Sequence, residues 1–181
     1  MIYPLPAVLV SCGTTEEEYN LLTIAWTGTI CSDPPLCYIS VRPSRHSYAL
    51  IKRDMEFVIN LTTEEMARAT DWCGVRSGRN HDKFKEMNLT PIPSAVVQVP
   101  SVKESPLSIE CRVREIMPLG THDMFIAEVV NIRANDDYLD PETGQFELAS
   151  SHPLVYLHGA YHALGEKLGK FGWAVEKKTT K

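Results

Sequence analysis

No stretch of the 181 residues approaches the roughly 18 apolar positions that a membrane-spanning helix requires. No CxxC pair joins its five cysteines, Cys12, Cys31, Cys37, Cys73 and Cys111, which form an odd and scattered set. Such a set suits reduced thiols better than a secreted disulfide framework. The opening Met1–Gly13 has no basic flank and too short an apolar run for a signal peptide. A cytoplasmic location is therefore expected. Basic residues are in deficit, with 18 Lys and Arg against 23 Asp and Glu and a net charge of −5. That balance argues against a nucleic-acid partner, because neutralising phosphates takes a basic face.

Several site motifs are also missing. There is no P-loop, no GxSxG elbow and no zinc finger, and Asp136-Asp137 with Asp140 and Glu142 misses the EF-hand spacing. Gly165, Gly169 and Gly172 do not follow dinucleotide-fold spacing, and no βαβ pattern surrounds them. His158 and His162 are four apart and would share a helix face. They lack the glutamate of an HExxH site, so no metal is expected.

What is present is a series of short β-branched runs: Ala7–Cys12, Leu22–Trp26, Leu36–Val41, Phe57–Leu61, Val96–Val99, Ser108–Ile116, Met124–Ile132 and Leu154–Leu157. Turn signals separate them, among them Asp33-Pro34-Pro35, Pro91-Ile92-Pro93 and Pro118-Leu119-Gly120. In Ser108–Ile116, Ile109, Cys111 and Val113 alternate with Glu110, Arg112 and Arg114, which reads as a half-buried antiparallel strand. Many short strands between turns indicate a mainly β barrel or sandwich. Helices are expected over Ser44–Arg53, from a Thr62/Glu65 capping box to about Cys73, and over Asp82–Met87. No repeat or linker interrupts the chain. One domain over residues 1–175 is expected, followed by a charged tail at 176–181.

Four segments are candidates for chemistry. In Arg42-Pro43-Ser44-Arg45-His46-Ser47, basic side chains and hydroxyls occupy a helix start, where the dipole ordinarily favours acids. Either an anion sits among them, or a Ser cap stands beside solvated cations. Thr27-Gly28-Thr29 offers hydroxyls and a glycine that lets a ligand approach the backbone, or it is a plain strand end. Arg76–Lys83 brings Arg79 and Lys83 around a Ser-Gly pair, as a second phosphate-facing loop or as a solvated charge run. Leu157–Trp173 carries Tyr161 and the two histidines.

Asn20–Trp26, Asp33-Pro34-Pro35, Val41–Tyr48 and Phe57–Leu61, with Trp72, Asp82-Lys83-Phe84 and Tyr161 to Gly172 beyond them, resemble in order and spacing the flavin reductase-like family of FMN-binding split barrels. The resemblance implies a six-stranded antiparallel Greek-key split barrel with a few peripheral helices. It also implies a homodimer with FMN near the subunit interface. Thr27, Gly28 and Thr29 would line the flavin ring, while Ser44, Arg45 and Ser47 would hold the phosphate with His46 adjacent. Asn60, Leu61 and Thr62 would border the ribityl chain or ring, with Arg79 and Lys83 as further contacts and Tyr161 or His162 near the ring. The implied activity is electron transfer from NAD(P)H through hydride delivery to the flavin, and on to a flavin, ferric or other small-molecule acceptor. The alternatives are an FMN electron carrier reduced by a protein partner and a non-catalytic flavin-binding protein.

Overall fold

A computed structural model describes residues 2–175; the tail at 176–181 lies outside the described residues. Twelve strands and three helices follow in chain order. They are β1 (Leu5–Pro6), β2 (Val8–Cys12), β3 (Asn20–Ile24), β4 (Thr27–Ser32), β5 (Pro35–Val41), α1 (His46–Asp54), β6 (Glu56–Leu61), α2 (Ala67–Val75) and α3 (Lys83–Glu86). After these come β7 (Pro91–Ile92), β8 (Ser101–Val102), β9 (Leu107–Pro118), β10 (Asp123–Ala134), β11 (Leu154–Leu157) and β12 (Ala160–Ala163). Seven strands form one antiparallel sheet in the order β3-β2-β6-β9-β10-β5-β4, while β1-β11-β12 and β7-β8 form smaller ones. The chain is mainly β with antiparallel sheets, as the resemblance implied, and β4 adds a seventh strand to the expected six.

Period-two alternation explains the curl of the main sheet. Val8, Val10 and Cys12, Phe57 and Ile59, Cys111 and Val113, Phe125 and Ala127, and Ile39 and Val41 all enter one buried cluster. Their neighbours face outwards into separate layers. Leu9 and Leu21 meet α2 and α3 through Met66, Cys73 and Phe84, whereas Val58 meets Val97 and Val99. The Ser40 amide donates to the Trp26 carbonyl at 2.9 Å, tying the end of β3 to β5 across the curl. Inside the curl the Cys37 and Cys111 sulfurs lie 3.5 Å apart as free thiols.

Three local expectations are corrected. Val96–Val99 is a bend rather than a strand, because the Glu110 carboxylate accepts from the amides of Ala95, Val96 and Val97 at 2.7–3.1 Å. Those amides are therefore unavailable to a ladder. The Thr62/Glu65 capping box does not form: the Thr62 hydroxyl donates to Ala7 O at 2.6 Å, and α2 begins only at Ala67. His158 and His162 share no helix. His158 and Gly159 turn with φ of 52° and 90°, and His162 pairs with Val155 on the β11–β12 hairpin.

Glu110 was read as the outward face of its strand, yet it is 0% exposed. Asn131 adds a fourth donor at 2.8 Å. Burial pushes the carboxyl up, but the four donors outweigh it and hold it below the ordinary value of 4.5. A depressed folded value means that this carboxylate stabilises the fold above that pH. The stabilisation disappears as pH falls through the folded value. Glu110→Gln should therefore lower stability near neutrality by ~1.5–3 kcal/mol in urea unfolding. The gap to wild type should close on acidification, and a gap independent of pH would contradict this account.

Candidate functional site

Two cavities run together along the open end of the curl. The inner one, about 510 Å³, is walled by Trp26, Val41, His122, Tyr156 and Tyr161. The next, about 400 Å³, is lined by Ser44, His46, Ser47, Arg76 and Lys83. Leu22, Arg42 and Arg45 belong to both, so the two form a single groove with an aromatic end and a cationic end.

At the cationic end α1 starts without help. Arg45 occupies the N-cap position, no side-chain cap bond forms, and the first turn holds no acid. The Ser47 hydroxyl is engaged inwards, accepting from Asn20 Nδ2 at 2.7 Å. Arg45 is braced by α2, its Nη1 donating to Gly74 O at 3.2 Å. Gly74 lies close enough to β3 that an added Cβ would sit 3.2 Å from the Thr23 Cβ, which brings that carbonyl within reach.

Lys83 completes this end. Its side chain is 2% exposed, and Nζ donates to Leu21 O and Cys73 O, both at 2.7 Å. An ammonium has three donors, so one remains after these two bonds. Among the described residues no carboxylate forms an ion pair with it. The neighbouring thiols Cys12 and Cys73 are pushed up to about 11 by burial and supply no charge at neutral pH. Burial, with Arg45 nearby, lowers the Lys83 pKa. Burial, with Arg79 and Lys83, likewise lowers that of His46. The lining holds Arg42, Arg45, Arg76 and Lys83, and no aspartate or glutamate. In a chain of net charge −5 this concentration of cations suits a multiply charged anion.

The aromatic end is flat-walled. Trp26 and His122 stack with centroids 4.6 Å apart and planes at 45°, and Tyr156 meets Tyr161 edge-on at 5.6 Å. Burial, together with Arg42 and Arg45, lowers His122 from 6.5, which keeps the ring neutral at pH 7. Burial and the carboxylate of Asp71 push Tyr161 up to about 12, so its hydroxyl keeps its proton.

Of the residues picked out from sequence, Ser44, Arg45, His46, Ser47 and Lys83 are brought together at the cationic end, and Tyr161 stands at the aromatic end. Arg79 lies one step outwards, in a cavity that it shares with His46. Thr27, Gly28 and Thr29 lie on β4 outside these cavities. The Thr27 hydroxyl donates to Tyr38 O at 2.7 Å, and Gly28 makes room for the Tyr38 ring. Asn60, Leu61 and Thr62 also lie outside them. Asn60 donates to Leu9 O and Ser11 Oγ and accepts from Val102 N and Ser108 Oγ, so its amide is spent inside the fold. His162 is exposed beyond the groove. Trp26, Asp71 and His122 were not singled out as site residues. Only the hairpin position of His122 after Pro118-Leu119-Gly120 gave a local hint.

A family model described as "Flavin reductase like domain" matches residues 1–165. Flavoredoxin of Desulfovibrio vulgaris (Miyazaki F) is 30% identical, with a TM-score of 0.89 over 97% of this chain and 95% of that one. An FMN-binding protein from Thermus thermophilus is 25% identical, with a TM-score of 0.79 over 93% and 90%. An NADH-dependent FMN reductase of Streptomyces nodosus subsp. asukaensis is 24% identical over 90% of this chain and 80% of its own length.

The cationic end makes a prediction that needs no organic ligand. Pyrophosphate should raise the melting temperature of the flavin-stripped protein, and Lys83→Met should abolish that rise. A variant that keeps the full rise would place the anion elsewhere.

Proposed function

The chain belongs to the flavin reductase-like family, and from that premise we propose that FMN lies along this groove. Its ring then rests among Trp26, His122 and Tyr161, and its phosphate among Ser44, Arg45, His46, Ser47 and Lys83. The observation that carries this reading is the buried Lys83 ammonium, without a counter-charge, beside an uncapped helix start. A phosphate offers the charge and the acceptors that both lack. Two cavities with shared walls, one aromatic and one cationic, suit a single molecule with a flat ring and an anionic tail.

Bound FMN supplies the redox chemistry, taking a hydride and passing electrons onwards. The chain's own residues bind, orient and shield. Arg45, braced on Gly74 O, fixes the tail, and the Trp26–His122 stack sets the plane of the ring. Neutral His122 and the protonated Tyr161 hydroxyl keep the ring end free of side-chain charge from those two groups. The proposed activity is electron transfer from NAD(P)H to a flavin, ferric or other small acceptor. The likeness to flavoredoxin favours a second reading, an electron carrier reduced by a protein partner.

A homodimer is part of the proposal. Leu168, Phe171 and Trp173 in the C-terminal segment are 91%, 107% and 59% exposed, and a second copy would cover them. Among the described residues no helix is long and apolar enough to cross a membrane. Five free thiols support a reducing, cytoplasmic compartment.

Arg45→Ala should weaken FMN ten- to a hundredfold, about 1.5–3 kcal/mol, while leaving riboflavin almost unchanged in fluorescence titrations. Equal loss for both flavins would point to damaged folding, and no loss for either would remove Arg45 from the cradle. Anaerobic mixing of the flavin-loaded protein with NADH and with NADPH separates the two activities. Rapid bleaching of the flavin absorbance supports the enzyme, whereas bleaching only by a reduced redox protein supports the carrier. Light scattering should give twice the chain mass, and a monomer holding stoichiometric FMN would exclude the dimer.

A further inference from the structure

Beyond the phosphate cradle the groove continues into a third cavity of about 710 Å³, within the size range of small-molecule sites. It shares His46 and Gly78 with the cradle, so it opens from the end where a phosphate would sit. Gly78 keeps this junction narrow-walled. A Cβ there would meet Asn20 Oδ1 at 2.2 Å, so only glycine lets the loop lie flat against Asn20 between the two spaces.

The chemistry changes sharply across this junction. The cradle has cations and no carboxylate, whereas Glu16, Glu17 and Asp82 line the outer cavity together with the aromatic Tyr19 and Phe84. Carboxylates accept hydrogen bonds and repel anions, so this cavity disfavours a second phosphate deep within it. It suits a neutral group rich in N–H and O–H donors with a flat face. Asn20, 3% exposed, also lies in its wall, and Oδ1 is a buried side-chain oxygen with no hydrogen-bond partner. Its Nδ2 is already committed to Ser47 Oγ at 2.7 Å. Arg79 and His46 stand at the boundary, where a bridging phosphate would pass.

We propose that the outer cavity is a nucleoside pocket that seats the adenosine half of FAD, so that the groove holds a flavin dinucleotide as well as FMN. The proposal rests on the assignment of the flavin phosphate to the cradle. In it the second phosphate lies between His46 and Arg79, and the amino and hydroxyl donors of adenosine face Glu16, Glu17 and Asp82.

The test titrates the flavin-stripped full-length chain with riboflavin, FMN and FAD. FAD should bind at least tenfold more tightly than FMN, and FMN more tightly than riboflavin. Asn80 is an exposed residue of the outer cavity whose recorded bond is from its backbone amide to Ser77 O at 3.1 Å. Asn80→Trp should fill the mouth and reduce the FAD preference to about twofold or less, with FMN affinity unchanged. If FMN outbinds riboflavin but FAD binds no better than FMN, the nucleoside pocket is wrong and the cradle stands. If Asn80→Trp keeps the tenfold preference, adenosine lies elsewhere and the proposal falls. If FMN binds no better than riboflavin, the cradle fails and takes this inference with it.

Discussion

A single buried ammonium organises the functional half of this molecule. Placing a charge where water cannot reach it is costly unless it is paired, and the effective penalty in folded proteins runs to several kcal/mol. Lys83 meets that penalty with only two backbone carbonyls, one from β3 and one from α2. Both carbonyls are positioned by the outer layer in which Leu9 and Leu21 pack on Met66, Cys73 and Phe84. The barrel wall therefore holds the cation in place, and the missing negative charge is left for a ligand to bring.

Glu110 shows what a buried charge looks like when its role is structural. It accepts from three amides and the Asn131 side chain, and its pKa falls despite burial. One buried ion is fully satisfied and pins a loop to the barrel; the other keeps an unspent donor and lines a cavity. Incomplete satisfaction at a cleft is the physical mark of a binding site, since native folds otherwise pair what they bury.

The barrel was legible in the sequence because its strands alternate between two buried layers and their ends are marked by Pro, Asp and Gly. Leu154–Leu157 falls where it was expected, and Ser108–Ile116 and Met124–Ile132 sit inside the longer β9 and β10. Thr27–Ser32 escaped notice as a strand because it forms the edge of the sheet and is largely exposed, so no apolar period marks it. Val96–Val99 has strand-like residues but gives its amides to a carboxylate on another element, which no local pattern reveals.

The site was legible where chemistry conflicted with local rules, at the basic start of α1. It was illegible where side chains converge from distant segments. Trp26, Asp71, His122 and Tyr161 come from four separate places in the chain, and only the curl of the sheet gathers them. The most direct measurement of the central claim, a buried cationic cradle for a flavin phosphate, is the phosphorus-31 resonance of bound FMN followed across pH. A free phosphate monoester titrates near pH ~6. Held against Lys83, Arg45 and the α1 amides, the bound phosphate should stay dianionic, with a shift that does not move through that range. A resonance that titrates as it does in free FMN would show a phosphate left in water and contradict the account.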